Sequence, residues 1–218
     1  TELQDAVPMT VGQEFHAFAA ALESEIALLR DAEKYLYAIN MGGTAIGTGL
    51  NAPEGYAERC AAHLAELTGK PIVPARDMLA ATWDQQGFVV YSAALRSVAV
   101  KLPKIASDLI LLTSGPRAGL AEINLPALQP GSSIMPGKVN PVMCESLMQV
   151  AARVMGNDQT IVFSGAAGGQ FQLNIMMPIM GHAALESIRL LAAASRAFVD
   201  FCAEGLEANP EACEASVE

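Results

Sequence analysis

The segment Gly131-Ser-Ser-Ile-Met-Pro-Gly-Lys-Val-Asn-Pro-Val-Met-Cys-Glu145 combines two hydroxyls, a cation, an amide and a carboxylate, and is predicted to open a helix. Gly131 and Gly137 allow the backbone to bend and to approach a ligand closely. Backbone N–H groups at the start of a helix favour an anion, and Lys138 adds a full positive charge. The segment therefore predicts a site for a carboxylate or an enolate. A surface turn with incidental charges is the alternative.

The chain as a whole predicts an all-α protein, from apolar residues at helical spacing in Gly12–Asn40 and from other runs of helical composition. Four long helical runs and one short helix are predicted, over Gly12–Asn40, Ala75–Thr113, Gly137–Ser164 and Pro178–Cys202, and between Pro53 and Gly69. Pro103 lies inside the second run, where it should kink the helix or remove a hydrogen bond. Asn209 and Pro210 predict the cap and first residue of a further helix. Strand signals are scarce, so the expected fold is a bundle of long antiparallel helices.

The composition favours an assembly of several chains over a membrane protein. Of the 218 residues, 52% are hydrophobic and only 17% are charged. The longest stretch without formal charge, Gln159–Leu185, contains glycines, Asn174 and Pro178, so it predicts no membrane-spanning helix. We therefore expect an oligomer whose long helices are covered by partner helices.

The net charge and the cysteine spacing limit which ligands and which cellular compartment are expected. The net charge is −10 and lysine and arginine form no cluster, which argues against binding to nucleic acid. An acidic protein that binds a dianion must concentrate positive charge locally, and Lys138 is the candidate. The four cysteines have neither CxxC nor metal-ligand spacing, so reduced thiols in the cytoplasm are expected. No metal site and no cofactor are predicted; activation by a divalent cation stays open.

Two segments carry a resemblance to a known family. The Gly131–Glu145 segment and Thr1-Glu-Leu-Gln-Asp-Ala-Val-Pro8 resemble two of the three signature regions of the aspartase/fumarase superfamily. These lyases add or remove a small group across a carbon–carbon double bond of a dicarboxylate. The resemblance covers essentially the whole chain. It implies the central helical domain of that fold over residues 1–205, without its first helix, and the start of the carboxy-terminal domain over 206–218.

The same resemblance implies roles for individual residues. Ser132 matches the base that takes a proton next to a carboxylate, and the resulting aci-carboxylate must be stabilised electrostatically. Ser133 would supply a second donor. Thr1, Lys138 and Asn140 match residues that bind substrate. From the residues alone, a helix-capping hydroxyl is the alternative for Ser132.

Glu2 and Glu145 are predicted as an acid or as supporting residues. Glu2 occupies a position that is histidine in fumarases and histidine or glutamine in familiar aspartases. Its counterpart in the family lies near the glutamate matched by Glu145, which belongs to another subunit. Two neighbouring carboxylates resist double ionisation, so we expect Glu2 and Glu145 to share a proton. A plain surface glutamate is the alternative for Glu145.

The resemblance also bears on reaction and partners. Three segments resemble aspartases more than fumarases: Val73–Thr82, Leu95–Leu102 and Tyr35–Gly42. This favours elimination of ammonia from L-aspartate, giving fumarate, over hydration of fumarate to malate. It implies a homotetramer with active sites shared among subunits, a small dicarboxylate substrate and no nucleic-acid or membrane partner. The third signature region is not in the chain, so the chain alone is expected to be inactive. A non-catalytic helical assembly domain is the alternative of another class.

Overall fold

The computed structural model describes residues 3–217, so the roles predicted for Thr1 and Glu2 lie outside the described residues. The fold is all-α, a bundle of long antiparallel helices, as predicted. Within residues 3–217 there are seven α-helices: α1 (Val11–Glu33), α2 (Tyr56–Thr68), α3 (Ala80–Trp83), α4 (Gln86–Leu112), α5 (Val142–Ala167), α6 (Met177–Phe198) and α7 (Pro210–Ala215). A 3-10 turn follows α1 at Lys34–Leu36, and a π-helical turn follows α6 at Val199–Ala203.

Three short ladders of two residues per strand accompany the helices in the described part of the chain. They are β1 (Ala38–Ile39) parallel to β2 (Val73–Pro74), β3 (Ile123–Asn124) antiparallel to β6 (Glu207–Ala208), and β4 (Gly169–Gln170) antiparallel to β5 (Leu173–Asn174). The sequence predicts that the first helix ends at Asn40, but α1 ends at Glu33. The first ladder explains this difference. The carbonyls of Tyr37 and Ile39 accept the N–H groups of Val73 and Ala75, so this backbone pairs with a strand instead of with its own helix.

Two further helix boundaries differ from prediction. The run Ala75–Thr113 is divided into α3 and α4, because Asp84 is extended and its carboxylate accepts the N–H of Gln86 at 3.0 Å. Pro103 lies inside α4 and does not end it. Helix α5 begins at Val142 and not at Gly137, because a residue that precedes a proline, here Asn140, is disfavoured in helical conformation.

The chain forms two compact units. Within the described residues, the first unit contains 3–24, 98–153 and 189–217, and the second contains 25–97 and 154–188. The core of the first unit includes Leu109, Ile123 and Leu147, each at most 2% exposed. In the second unit Ile161, Met180, Ala183 and Ala184 form a buried cluster, against which Phe88 and Val89 pack.

Buried polar contacts join helices of the second unit. Asp158 of α5 is 1% exposed and accepts hydrogen bonds from Ser92 Oγ at 2.7 Å and Arg96 Nη1 at 2.9 Å, both in α4. Asn157 Nδ2 donates to Glu186 Oε2 at 2.7 Å and to Ser187 Oγ at 3.1 Å, both in α6. Such contacts require the helices to be aligned at one register.

Candidate active site in the signature loop

The signature loop, residues 131–140, is closed at its base by backbone hydrogen bonds. Pro130 and Val139 form an isolated antiparallel bridge, and the N–H of Gly131 donates to the carbonyl of Lys138 at 2.7 Å. Gly137 has a φ of +80°, a left-handed conformation that glycine adopts without steric cost. These contacts hold the two ends of the loop together, and Gly137 allows the chain to turn between them.

Helix α5 starts directly after the loop. The carbonyl of Pro141 accepts the N–H groups of Cys144 at 3.0 Å and Glu145 at 3.2 Å, which forms the first helical turn. Glu145 lies in this turn with its side chain exposed. The signature segment therefore opens a helix, as the sequence predicts.

Ser132 lies inside the loop with its side-chain oxygen facing backbone donors. Its Oγ accepts the N–H of Ile134 at 3.2 Å and the N–H of Met135 at 3.2 Å. The hydroxyl thus caps the turn within the loop and not helix α5, so the helix-cap interpretation is wrong. Two N–H donors aimed at one oxygen favour negative charge on it, which reduces the cost of forming an alkoxide.

The polar residues that follow Ser132 differ in exposure. Ser133 and Lys138 are exposed, whereas Asn140 is half-buried. The Lys138 ammonium makes no hydrogen bond or ion pair within residues 3–217, so it is available to an anion. The Asn140 side chain lies against Gly131, where a Cβ would come within 2.8 Å of Asn140 Oδ1. The loop therefore presents hydroxyl, ammonium and amide groups along ten residues.

Sequence reasoning missed the backbone donors at this site. The N–H groups of Ile134 and Met135 bind Ser132 Oγ, and no side-chain pattern indicates a backbone donor. Cys144 of the first α5 turn is fully buried, and its thiol hydrogen-bonds to that of Cys202. The hydrogen bond to Cys202 and, to a smaller extent, burial raise the pKa of the Cys144 thiol. This cysteine therefore stays protonated and packs in the interior, and it does not act as a thiolate.

Apart from the signature loop, the described residues contain a cavity but neither a metal-binding cluster nor a membrane-spanning helix. Within residues 3–217, no group of three or more histidine, cysteine, aspartate or glutamate side chains could hold a metal ion. No helix of this described part is both long enough and apolar enough to cross a membrane. A cavity of about 520 Å³ in the second unit is lined mainly by apolar side chains and by none of the predicted site residues.

Comparison with known proteins places this loop in a family. The family model described as "Lyase" matches residues 1–156, and the chain belongs to this lyase family. The chain is 52% identical over 219 residues to the aspartate ammonia-lyase of Pseudomonas aeruginosa and 51% identical over 217 residues to that of Escherichia coli. These alignments cover 100% of the chain but 46% and 45% of the relatives. The chain thus spans about half the length of the curated relatives it matches.

Solved structures agree with this assignment. A fumarate lyase:delta crystallin from Brucella melitensis bound to cobalt has a TM-score of 0.95 at 50% sequence identity. A class II fumarase from Schistosoma mansoni has a TM-score of 0.94 at 36% identity. Both cover 100% of the chain, which itself covers 47% and 48% of the two solved chains.

Proposed function

We propose that the full-length protein is an aspartate ammonia-lyase, which eliminates ammonia from L-aspartate to give fumarate. The observation that carries this proposal is the Ser132 oxygen held by two backbone N–H groups, in a loop that also presents Lys138 and Asn140. The identity of 52% to an aspartate ammonia-lyase supports aspartate as the substrate.

The proposed mechanism starts with proton abstraction. A Ser132 alkoxide takes a proton from the β-carbon of L-aspartate, and the electron pair moves into the adjacent carboxylate, which becomes a dianionic aci-carboxylate. When this intermediate collapses, the carbon–carbon double bond forms and the α-carbon–nitrogen bond breaks, releasing ammonia. Lys138 stabilises the negative charge as a point charge, and the amide of Asn140 donates a hydrogen bond to a substrate carboxylate. Ser133 and Thr1 add hydroxyl donors, and Glu2 and Glu145 supply or support an acid.

We also propose that the active protein is a homotetramer whose sites combine residues from several subunits. Large apolar side chains remain exposed on the long helices, including Ile26 at 49%, Val100 at 55%, Phe163 at 64% and Leu185 at 53%. Contact with other copies would remove this surface from water. The four cysteines are all free, which supports a reducing compartment such as the cytoplasm.

Fumarate hydratase is the second candidate. The likeness to a class II fumarase structure supports it, but at 36% identity compared with 52% for an aspartate ammonia-lyase. The chemistry proposed for Ser132 would be the same, with water leaving in place of ammonia.

The ultraviolet absorbance of fumarate tests these alternatives. Purified full-length protein is incubated with L-aspartate and, separately, with L-malate, and fumarate formation is followed. We expect product from aspartate and little from malate. Product mainly from malate would assign a hydratase, and none from either would assign a non-catalytic assembly domain. The Ser132→Ala variant, purified in the same way, controls for contaminating host enzyme.

A further inference from the structure

We propose that Gly131 is a positioning residue that sets the orientation of the Asn140 side-chain amide. This inference rests on the proposed function, because Asn140 needs a defined orientation only if it holds a substrate carboxylate. Gly131 itself contacts no reacting atom in this proposal. It acts through Asn140.

The two residues meet across the closed base of the signature loop. A Cβ built on Gly131 would lie 2.8 Å from Asn140 Oδ1, 3.0 Å from Asn140 Cγ and 3.1 Å from the Asn140 backbone nitrogen. These separations are shorter than ordinary van der Waals contacts, so the Asn140 amide occupies the space that any larger residue would fill. Because Gly131 N–H also donates to the Lys138 carbonyl at 2.7 Å, Gly131 cannot move away without breaking that bond.

The orientation of the amide matters because its two ends differ chemically. The amide oxygen is an acceptor only, whereas the amide nitrogen is a donor and can bind a carboxylate. Oδ1 is the Asn140 atom nearest to the missing Cβ, and the amide nitrogen is not among the three nearest atoms. The absence of a side chain at Gly131 therefore leaves room for this end of the amide, and a Cβ there would displace it.

A methyl group at position 131 should therefore weaken binding of a dicarboxylate by displacing Asn140. A hydrogen bond to a charged group contributes about 1.5–3 kcal/mol, so the loss of the Asn140 bond corresponds to affinity on the order of 10- to 100-fold weaker. We expect losses of this size for Asn140→Ala and for Gly131→Ala.

A double-mutant cycle in the full-length protein tests this mechanism. The inhibition constant of succinate, an unreactive four-carbon dicarboxylate, is measured against L-aspartate for wild type, Gly131→Ala, Asn140→Ala and the double variant. If the methyl group acts through the Asn140 amide, the double variant should bind succinate within about threefold of Asn140→Ala. Two independent effects would instead multiply, and that result would overturn the inference. Gly156→Ala is the control, because a Cβ at Gly156 in α5 would meet nothing within 4 Å.

The remaining outcomes are also decisive. If Gly131→Ala fails to fold but the double variant folds, as judged by circular dichroism, the clash is with the Asn140 side chain, as proposed. If neither folds, the constraint is on the backbone and the inference is wrong. A wild-type protein without lyase activity would remove the proposed function, and this inference with it. An active wild type with multiplicative losses would reject the role of Gly131 alone.

Discussion

Removal of the buried carboxylate of Asp158 should destabilise the protein chiefly through its two short hydrogen bonds, from Ser92 and Arg96, because the third contact, from Gln159 Nε2, is long at 3.5 Å. In the second unit this carboxylate is 1% exposed and binds the Ser92 hydroxyl at 2.7 Å and the Arg96 guanidinium at 2.9 Å. Ser92 is itself only 3% exposed, whereas the Arg96 side chain is 44% exposed. The two partners therefore contribute unequally to the effect of Asp158→Ala.

The expected loss is the sum of two terms. A buried hydroxyl without an acceptor costs about 1–3 kcal/mol. Breaking a fully buried ion pair costs about 3–5 kcal/mol, but water can solvate the half-exposed Arg96, which reduces its share to about 1 kcal/mol. Asp158→Ala should therefore lower the free energy of unfolding by about 2–4 kcal/mol. The melting temperature should fall on the order of 5 °C, since 1 kcal/mol corresponds to about 2–4 °C in proteins of 150–250 residues and to less in larger ones.

Circular dichroism melts of the full-length protein at one fixed concentration measure this change. The matched control is Asp31→Ala, since Asp31 is a 70% exposed aspartate of α1 that pairs with Lys34. Adding Ser92→Ala to Asp158→Ala should recover about 1 kcal/mol, because both partners of the hydrogen bond are then removed. The reasoning would be refuted if Asp158→Ala had the same melting temperature as the Asp31→Ala control. It would also be refuted if Ser92→Ala, added to Asp158→Ala, lowered the stability further.

Three further predictions concern the active site and the assembly. Ser132→Ala should lower kcat by at least about 100-fold while succinate still binds, because the base is lost but Lys138 and Asn140 remain; a variant that keeps most of its rate would assign the base elsewhere. Glu2→Gln should keep substantial activity and move the alkaline limb of the pH–rate profile upward, because glutamine cannot lose the proton that Glu2 and Glu145 are predicted to share. An inactive folded variant or an unchanged profile contradicts that idea. Sedimentation equilibrium of the full-length protein should give the mass of a tetramer, and a stable monomer would contradict the proposed assembly.

The fold class and the candidate site could be predicted from the sequence because both depend on local patterns. Apolar residues at helical spacing indicate α1, and runs of helical composition indicate α4, α5 and α6, whose helical character does not depend on a distant partner. The residues Ser132, Lys138, Asn140 and Glu145 lie in one continuous segment, so their proximity follows from chain connectivity. The glycines of that segment likewise indicate a loop before α5.

Contacts between distant parts of the chain were decided by the tertiary structure. Helix α1 ends early because β1 pairs with β2, a strand that follows α2 in the sequence. Ser92 and Asp158 are 66 residues apart in sequence, and polar residues in amphipathic helices would ordinarily be expected on the surface. Only the packing of α4 against α5 shows that each satisfies the other in the interior.

Within the signature loop the division between sequence and structure is finer. Residue types alone indicate that Ser132 could become a base and that Asn140 could bind a carboxylate. Which backbone N–H groups reach Ser132 Oγ, and which end of the Asn140 amide faces Gly131, depends on φ and ψ along the loop. The Pro130–Val139 bridge joins the two ends of the loop, a contact between residues nine positions apart, so the direction of each donor exists only in the folded chain.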